Sequence, residues 1–287
     1  MGFLKNIASA ANLCSASIKS IAKIAIESKP CGISKTATPA DTLIIMGNGP
    51  ALANAMQDDA DVLKNHQLMA VNFAANADEF YQFHPQSYVL ADPLFFTGQD
   101  HENVARLWQN FANRIDWPMT LFVPAKMRSK VPQISNPCIR IETFNPVGVE
   151  GFKWLENAAY SSGRGMPRPR NVLIVAIMIG LKMGFRQIYL TGADHSWTKT
   201  LAVDDDNLVV SIQPHFYKDN QAEHNRVASV YKDIRLHEIL LSFHIAFRSY
   251  FFVSRYAKPI GASIFNATPG SFIDAFPRRS LADLRMD

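Results

Sequence analysis

Residues 42–50 read Thr-Leu-Ile-Ile-Met-Gly-Asn-Gly-Pro, an apolar β-rich run that breaks into a glycine-rich tip, and a helical pattern through Ala51, Leu52, Ala55 and Met56 follows at once. A change from strand composition to helical periodicity across so few residues is a strand–turn–helix unit, the repeating element of an α/β sandwich. Gly47 and Gly49 let the backbone pass close to a ligand, Pro50 suits the first helical position, and the free N–H groups of the helix start attract anions such as phosphates. Asn48 offers both a donor and an acceptor, which suits a nucleotide base or ribose. An ordinary βα turn is the alternative reading of the same residues.

The unit recurs. Short apolar runs at 68–71, 87–91, 120–123, 138–143, 187–191 and 262–265 alternate with helical patterns at 51–64, 101–114 and 172–183, and with a long helix that begins between 226 and 233 and ends near 256. Strands separated by helices imply a parallel sheet. The fold class expected is α/β: a single Rossmann-like domain over residues 42–287 with a mainly parallel central sheet. Asn171 is placed to cap the strongly apolar helix 172–183 and Gly184 to close it. Leu236, Leu240, Phe243, Phe247 and Phe251 form the expected buried stripe of the long helix, and a short helix is expected through Phe272, Ile273 and Phe276. The sequence turns polar and irregular at about 195–225, around one apolar piece at 208–212, which reads as a lid.

The chain has 287 residues, 48% of them hydrophobic, enough for one sizeable core. Its net charge of +4 is mild and spread along the chain, and no basic-aromatic array is present, so nucleic acid is not an expected partner. Cys14, Cys31 and Cys138 are far apart and lack CxxC spacing, which implies neither a disulfide framework nor a zinc site and fits a reducing cytoplasm. In residues 1–27, Leu4, Ile7, Ala11, Cys14, Ile18, Ile21 and Ala25 recur at alternating spacings of three and four, with Lys5, Lys19 and Lys23 elsewhere. This amphipathic basic helix has three readings: an anchor on an anionic membrane, which would place the protein at the inner face of the inner membrane; a partner for another helix; or a satellite docked on the domain. Residues 28–41, rich in Ser, Thr, Lys and Pro, read as a linker. Nothing in the sequence fixes an oligomeric state.

The residues that follow the predicted strands are Gly47, Asn48, Gly49, Asn72, Asp92, Gly192, Asp194, Asn266 and Thr268, and they gather at the carboxyl edge of the sheet, where ligands of such folds bind. Amides and carboxylates suit a base, a ribose and a sugar. The pattern GxGxxG is absent, and Asn72 stands where a dinucleotide enzyme would carry its ribose-binding acid, so a redox dinucleotide is disfavoured. His224 and His215 lie in the lid or at its junction with the long helix, where a neutral imidazole can act as a general base. His195, whose pKa or tautomer Asp194 would set, and His237 are the other histidine candidates, and Asp194 is a further catalytic candidate on the same crevice. Asp204-Asp205-Asp206 satisfies the metal-holding DxD pattern formally but fits a solvated acidic turn. Arg164, Arg168 and Arg170 precede the apolar helix, either to meet a phosphate or as a solvated basic loop.

Ile45-Met46-Gly47-Asn48-Gly49-Pro50, Val71-Asn72, the run Ala-Asp-Pro-Leu-Phe-Phe at 91–96, Gly-Phe-Arg-Gln-Ile-Tyr-Leu-Thr-Gly at 184–192, and Asp194 give the chain, over about 42–276, a resemblance to the bacterial sialyltransferases of glycosyltransferase family 42. It also resembles the wider group of pterin pyrophosphokinase-like and motility accessory factor proteins. The resemblance implies that Asn48 and Asn72 hold the cytidine of a CMP-activated sugar donor and that His224 is the catalytic histidine. The family has Asn-Pro where this chain has Asp92-Pro93, Ser-Gly where it has Arg170-Asn171, and two lid tyrosines for which Trp197 and Tyr217 are loose substitutes. The function implied is an inverting, metal-independent glycosyltransferase that needs no cofactor and moves a sugar to a bacterial surface glycan. The alternatives are a nucleotide-dependent pyrophosphokinase or phosphotransferase, with magnesium at Asp92, Asp194 or the Asp204 cluster, and a non-catalytic nucleotide binder.

Overall fold

Strands that are apolar on both faces must be covered on both faces, and parallel pairing with crossover helices is how a chain achieves this. A computed structural model of the protein, describing residues 2–35, 41–98, 100–211 and 234–285, has this arrangement. Its strands are β1 (Thr42–Met46), β2 (Gln67–Val71), β3 (Ser87–Val89), β4 (Met119–Pro124), β5 (Ile139–Phe144), β6 (Gln187–Thr191), β7 (Leu201–Val203), β8 (Val209–Ser211) and β9 (Ser263–Asn266). Seven of them form one sheet in the order β5-β4-β3-β2-β1-β6-β9, and every pair in it is parallel. β7 and β8 form a separate antiparallel hairpin. The chain steps outward from β1 to β5 and then returns to the far side of β1 with β6. Strand order therefore reverses between β1 and β6, and a reversal of this kind opens a crevice beyond the carboxyl ends of the two strands.

The helices described are α1 (Gly2–Glu27), α2 (Ala51–Asp58), α3 (Ala60–Asn65), α4 (Leu94–Thr97), α5 (Glu102–Asn113), α6 (Lys153–Ser162), α7 (Val172–Met183) and α8 (Leu236–Ala257). Alternation along each strand divides the core. Leu43, Ile45, Met69 and Leu190 face α7, whereas Ile44, Met46, Leu68 and Tyr189 face Leu52, Met56 and Leu63 of α2 and α3. α7 is buried on nearly every side, as its uninterrupted apolar sequence requires.

Three local expectations need correction. The helix expected at 51–64 breaks at Asp59, whose φ of −120° is not helical. The run 272–276 is not a helix: the Arg278 guanidinium donates to the carbonyls of Thr268, Ser271 and Ile273, which fixes an irregular loop with Ile273 and Phe276 inside. On α8 the buried stripe is Ile239, Phe243, Ala246, Tyr250, Val253 and Ala257, while Leu236, Leu240 and Phe251 are exposed, Leu240 to 45%. Both stripes are apolar, and the one containing the small Ala246 and Ser249 lets α8 approach the core more closely.

α1 docks by a polar face. Ser17 Oγ accepts from Phe152 N at 2.9 Å, and Ser20 Oγ donates to Glu150 O at 2.7 Å and accepts from Glu150 N at 3.0 Å. The apolar stripe lies open, with Ile18 68% and Ile21 50% exposed. Part of the expected linker is also bonded into the domain: Asn145 takes Lys29 N at 2.9 Å and donates to Lys29 O at 2.9 Å, and Ser34 N donates to Glu142 Oε2 at 3.0 Å.

Candidate functional site

The tips of β1 and β6 are laced together by Gly47 N donating to Thr191 O at 2.7 Å and Gly49 N donating to Gly192 O at 2.8 Å. Gly192 has φ +62°, and a Cβ there would stand 2.8 Å from Leu52 Cβ and closer still to Gly47 O. A Cβ on Gly47 would run into Gly192 O, and one on Gly49 into the Asp194 carboxylate. These three glycines line the crevice, but the space their missing side chains leave is filled by protein. The expectation that they admit a ligand is replaced, on that side, by the close packing of two loops.

Asp194 Oδ2 lies 3.4 Å from Ala51 N at the start of α2. The positive amino end of a helix favours an anion, and here a protein carboxylate supplies it. Burial pushes the Asp194 carboxyl above its ordinary pKa, and the Ala51 N–H pulls it back. A phosphate expected at residues 49–51 would therefore meet a carboxylate, a correction to the reading of the glycine-rich tip alone.

The start of α7 forms the opposite wall. Asn171 Oδ1 caps it by accepting from Leu173 N at 2.8 Å, and the Tyr250 hydroxyl lies 3.3 Å from the same oxygen. His195 Nε2 is 2.7 Å from the Tyr250 oxygen. The Tyr250 hydroxyl thus stands between the His195 ring and the Asn171 cap, within hydrogen-bond distance of both. His195 is 7% exposed with φ 51°, and its ring lies 4.2 Å from that of Trp197. Burial drives its pKa down to about 3, so the ring is neutral. Asp194 neither raises that pKa nor fixes the tautomer, because the two side chains diverge, one toward α2 and the other toward α8.

Asn48 Nδ2 donates to Val71 O at 3.2 Å and ties the tips of β1 and β2, while its Oδ1 is buried without a partner among the described residues. Asn72 has φ 52°, a left-handed conformation that asparagine tolerates better than most residues, and its carbonyl accepts from the Tyr88 hydroxyl at 2.6 Å. Gly47, Asn48, Gly49, Asn72, Asn171, Gly192 and Asp194 thus line one cleft of about 150 Å³, together with His195 and Trp197.

Asp92 does not join them; it is exposed, and its Oδ1 accepts from Leu94 N at 2.8 Å at the start of α4. Asn266 and Thr268 are buried braces, bonded to Ser271 Oγ and Leu190 O. Arg168 pairs with Glu150 at 3.0 Å, and neither Arg164 nor Arg170 lines the cleft. Asp204 Oδ1 accepts from Asp206 N and Leu208 N, the bonding of a hairpin turn between β7 and β8. No group of three or more His, Cys, Asp or Glu that could hold a metal ion occurs among the described residues. His237 is exposed on α8. His215, Tyr217 and His224 lie outside the described residues. Tyr250 is the site residue that sequence reasoning missed; its only signal was a polar-tipped ring inside an apolar helix.

No protein-family model matches the chain, and no curated protein is similar to it. Among solved structures, the MAf glycosyltransferase from Magnetospirillum magneticum AMB-1 matches at 12% identity and a TM-score of 0.48, over 95% of this chain and 39% of that one. The chain thus spans about two fifths of that protein's length. A likeness at this level carries no argument about activity.

Proposed function

We propose that the cleft binds a CMP-activated sugar and that the chain transfers the sugar to a bacterial surface glycan, as a glycosyltransferase resembling the sialyltransferases. The observation that carries this reading is the charge layout between the two helix starts. Asp194 already stands at the amino end of α2, whereas the α7 start, with Asn171, Val172 and Leu173 on the cleft wall, carries no carboxylate among the described residues. That layout accommodates one phosphate; a diphosphate would bring its second group toward Asp194. Asn48 and Asn72 supply the amides for base and ribose.

In the reaction, the acceptor oxygen forms a bond to the anomeric carbon as the bond from that carbon to the phosphate oxygen breaks and CMP departs with the electron pair. A histidine takes the acceptor's proton. His195 is a poor base near neutral pH because its conjugate acid is too strong, so the role falls to His224 or His215, with inversion at the anomeric carbon. No metal is required by this scheme.

Isothermal titration of the full-length chain with CMP, CDP, UDP, GDP and ATP, with and without magnesium, tests the reading. CMP should bind most tightly and independently of magnesium, and Asn72→Gly, which keeps the left-handed backbone while deleting the amide, should weaken it. Tighter binding of CDP or of ATP with magnesium would overturn the assignment.

A further inference from the structure

No helix among the described residues is long and apolar enough to cross a membrane, yet α1 presents apolar residues to solvent over much of its length. The serine face formed by Ser17 and Ser20 is the one that docks, with Ile24 packed against the core. Ile18 and Ile21, on a face rotated away from those serines, and Ile26 are all at least half exposed. Residues 10–15 are exposed on every side, so the helix runs on past its docking site without cover. An uncovered helical segment of that length is marginal in water.

Charge decides among the surfaces that could cover it. Lys5, Lys19 and Lys23 are the only charged side chains before Glu27. Lys19 and Lys23 are exposed and lie one turn apart on the helix, along the edge of the open face next to Ile26. A second α1 laid along the first would oppose like charges, and the positions bordering the stripe, such as Ala10, Ser15 and Ala22, offer no acid to relieve them. An anionic bilayer supplies both complements, acyl chains for the isoleucines and headgroups for the lysines.

We propose that α1 seats its open face, which runs from Ile21 through Ile18 to Ile26 and is edged by Lys19 and Lys23, on an anionic lipid surface. α1 docks at Glu150, and Glu150 also pairs with Arg168, three residues before the Asn171 cap, so the lipid-facing helix is joined to the wall of the cleft. A cleft held in this way works near a bilayer.

The test is co-sedimentation of the full-length chain with phosphatidylcholine vesicles, with and without phosphatidylglycerol. The expected result is binding to the anionic vesicles that weakens with salt and falls roughly tenfold or more in Ile18→Glu/Ile21→Glu and in Lys19→Glu/Lys23→Glu. These side chains are exposed, so circular dichroism and the affinity for CMP should be unchanged; CMP titration of the same variants keeps this result separate from the functional reading. Failure of the full-length chain to bind anionic vesicles, or equal binding by the variants, overturns the proposal. So does a dimer seen by light scattering without lipid and dissolved by Ile18→Glu/Ile21→Glu, which would mean that α1 pairs with a second copy.

Discussion

Replacing Gly192 with alanine separates two effects that the structure predicts at one position. Gly192 sits at φ +62°, where an L residue costs about 1–2 kcal/mol, and its added methyl would press on Gly47 O and Leu52 Cβ, an overpacking cost of about 1–3 kcal/mol. Gly261 provides the comparison, because its φ is +72° but nothing lies within 4 Å of a Cβ built there. Both variants gain roughly 0.4–1 kcal/mol from a stiffer unfolded chain. Gly261→Ala should therefore lose roughly 0–1.6 kcal/mol, and Gly192→Ala about 1–3 kcal/mol more than that. Urea unfolding at constant slope measures both, and in a domain of this size each kcal/mol also lowers Tm by roughly 2–4 °C. Gly47→Ala should show the clash without the left-handed penalty, and the Gly47→Ala/Gly192→Ala pair should be less costly than the sum, since either methyl already parts the same two loops. Equal losses for Gly192→Ala and Gly261→Ala would refute the claim that these glycines exist to let the β1 and β6 tips touch.

Tyr250→Phe deletes the hydroxyl between His195 and Asn171 and leaves a buried ring nitrogen unpaired, so calorimetry should record a loss of about 1–3 kcal/mol, with the Leu173 cap intact. Because the folded pKa of His195, about 3, lies below the ordinary 6.5, the unfolded chain binds a proton in that window that the folded one does not. Stability therefore falls as pH drops below 6.5, by up to about 1.4 kcal/mol per unit from this group; the gap between wild type and His195→Gln should shrink by about 1 kcal/mol from pH 6.5 to 5.5, and an unchanged gap would contradict the buried neutral ring. Deleting residues 1–35 removes Lys29 from Asn145 and Ser34 from Glu142 and should lower Tm measurably.

The sheet was legible because its strands are short apolar runs with turn-formers beyond them, and the cleft was legible because Gly47, Asn48, Asn72, Gly192 and Asp194 each follow such a run. What the side chains do there was not legible. Asp194 faces α2 rather than His195, and that depends on where a helix 143 residues away in sequence begins. The link from His195 to Tyr250 joins positions 55 apart. On α8, Leu236, Leu240 and Phe251 are as apolar as the buried Ile239, Phe243 and Val253, so periodicity could not choose the phase. On α1, hydrophobicity marked an apolar stripe but could not show which face docks, because the loop at 150–152 offers backbone groups that the Ser17 and Ser20 hydroxyls satisfy.

The amide of Asn145 grips Lys29 from both sides across 116 residues of chain, and Ser17 and Ser20 wait for Phe152 and Glu150 across 135 and 130. The amino-terminal arm leaves the ribosome long before its docking site exists. At roughly 5–20 residues per second the interval is on the order of 6–27 seconds, whereas a helix forms in about a microsecond. During translation, α1 is thus an unattached amphipathic segment while most of the sheet is still being made. Any lipid surface near the ribosome meets that arm before its own domain does, and the order of synthesis itself gives the bilayer first access to the isoleucine face.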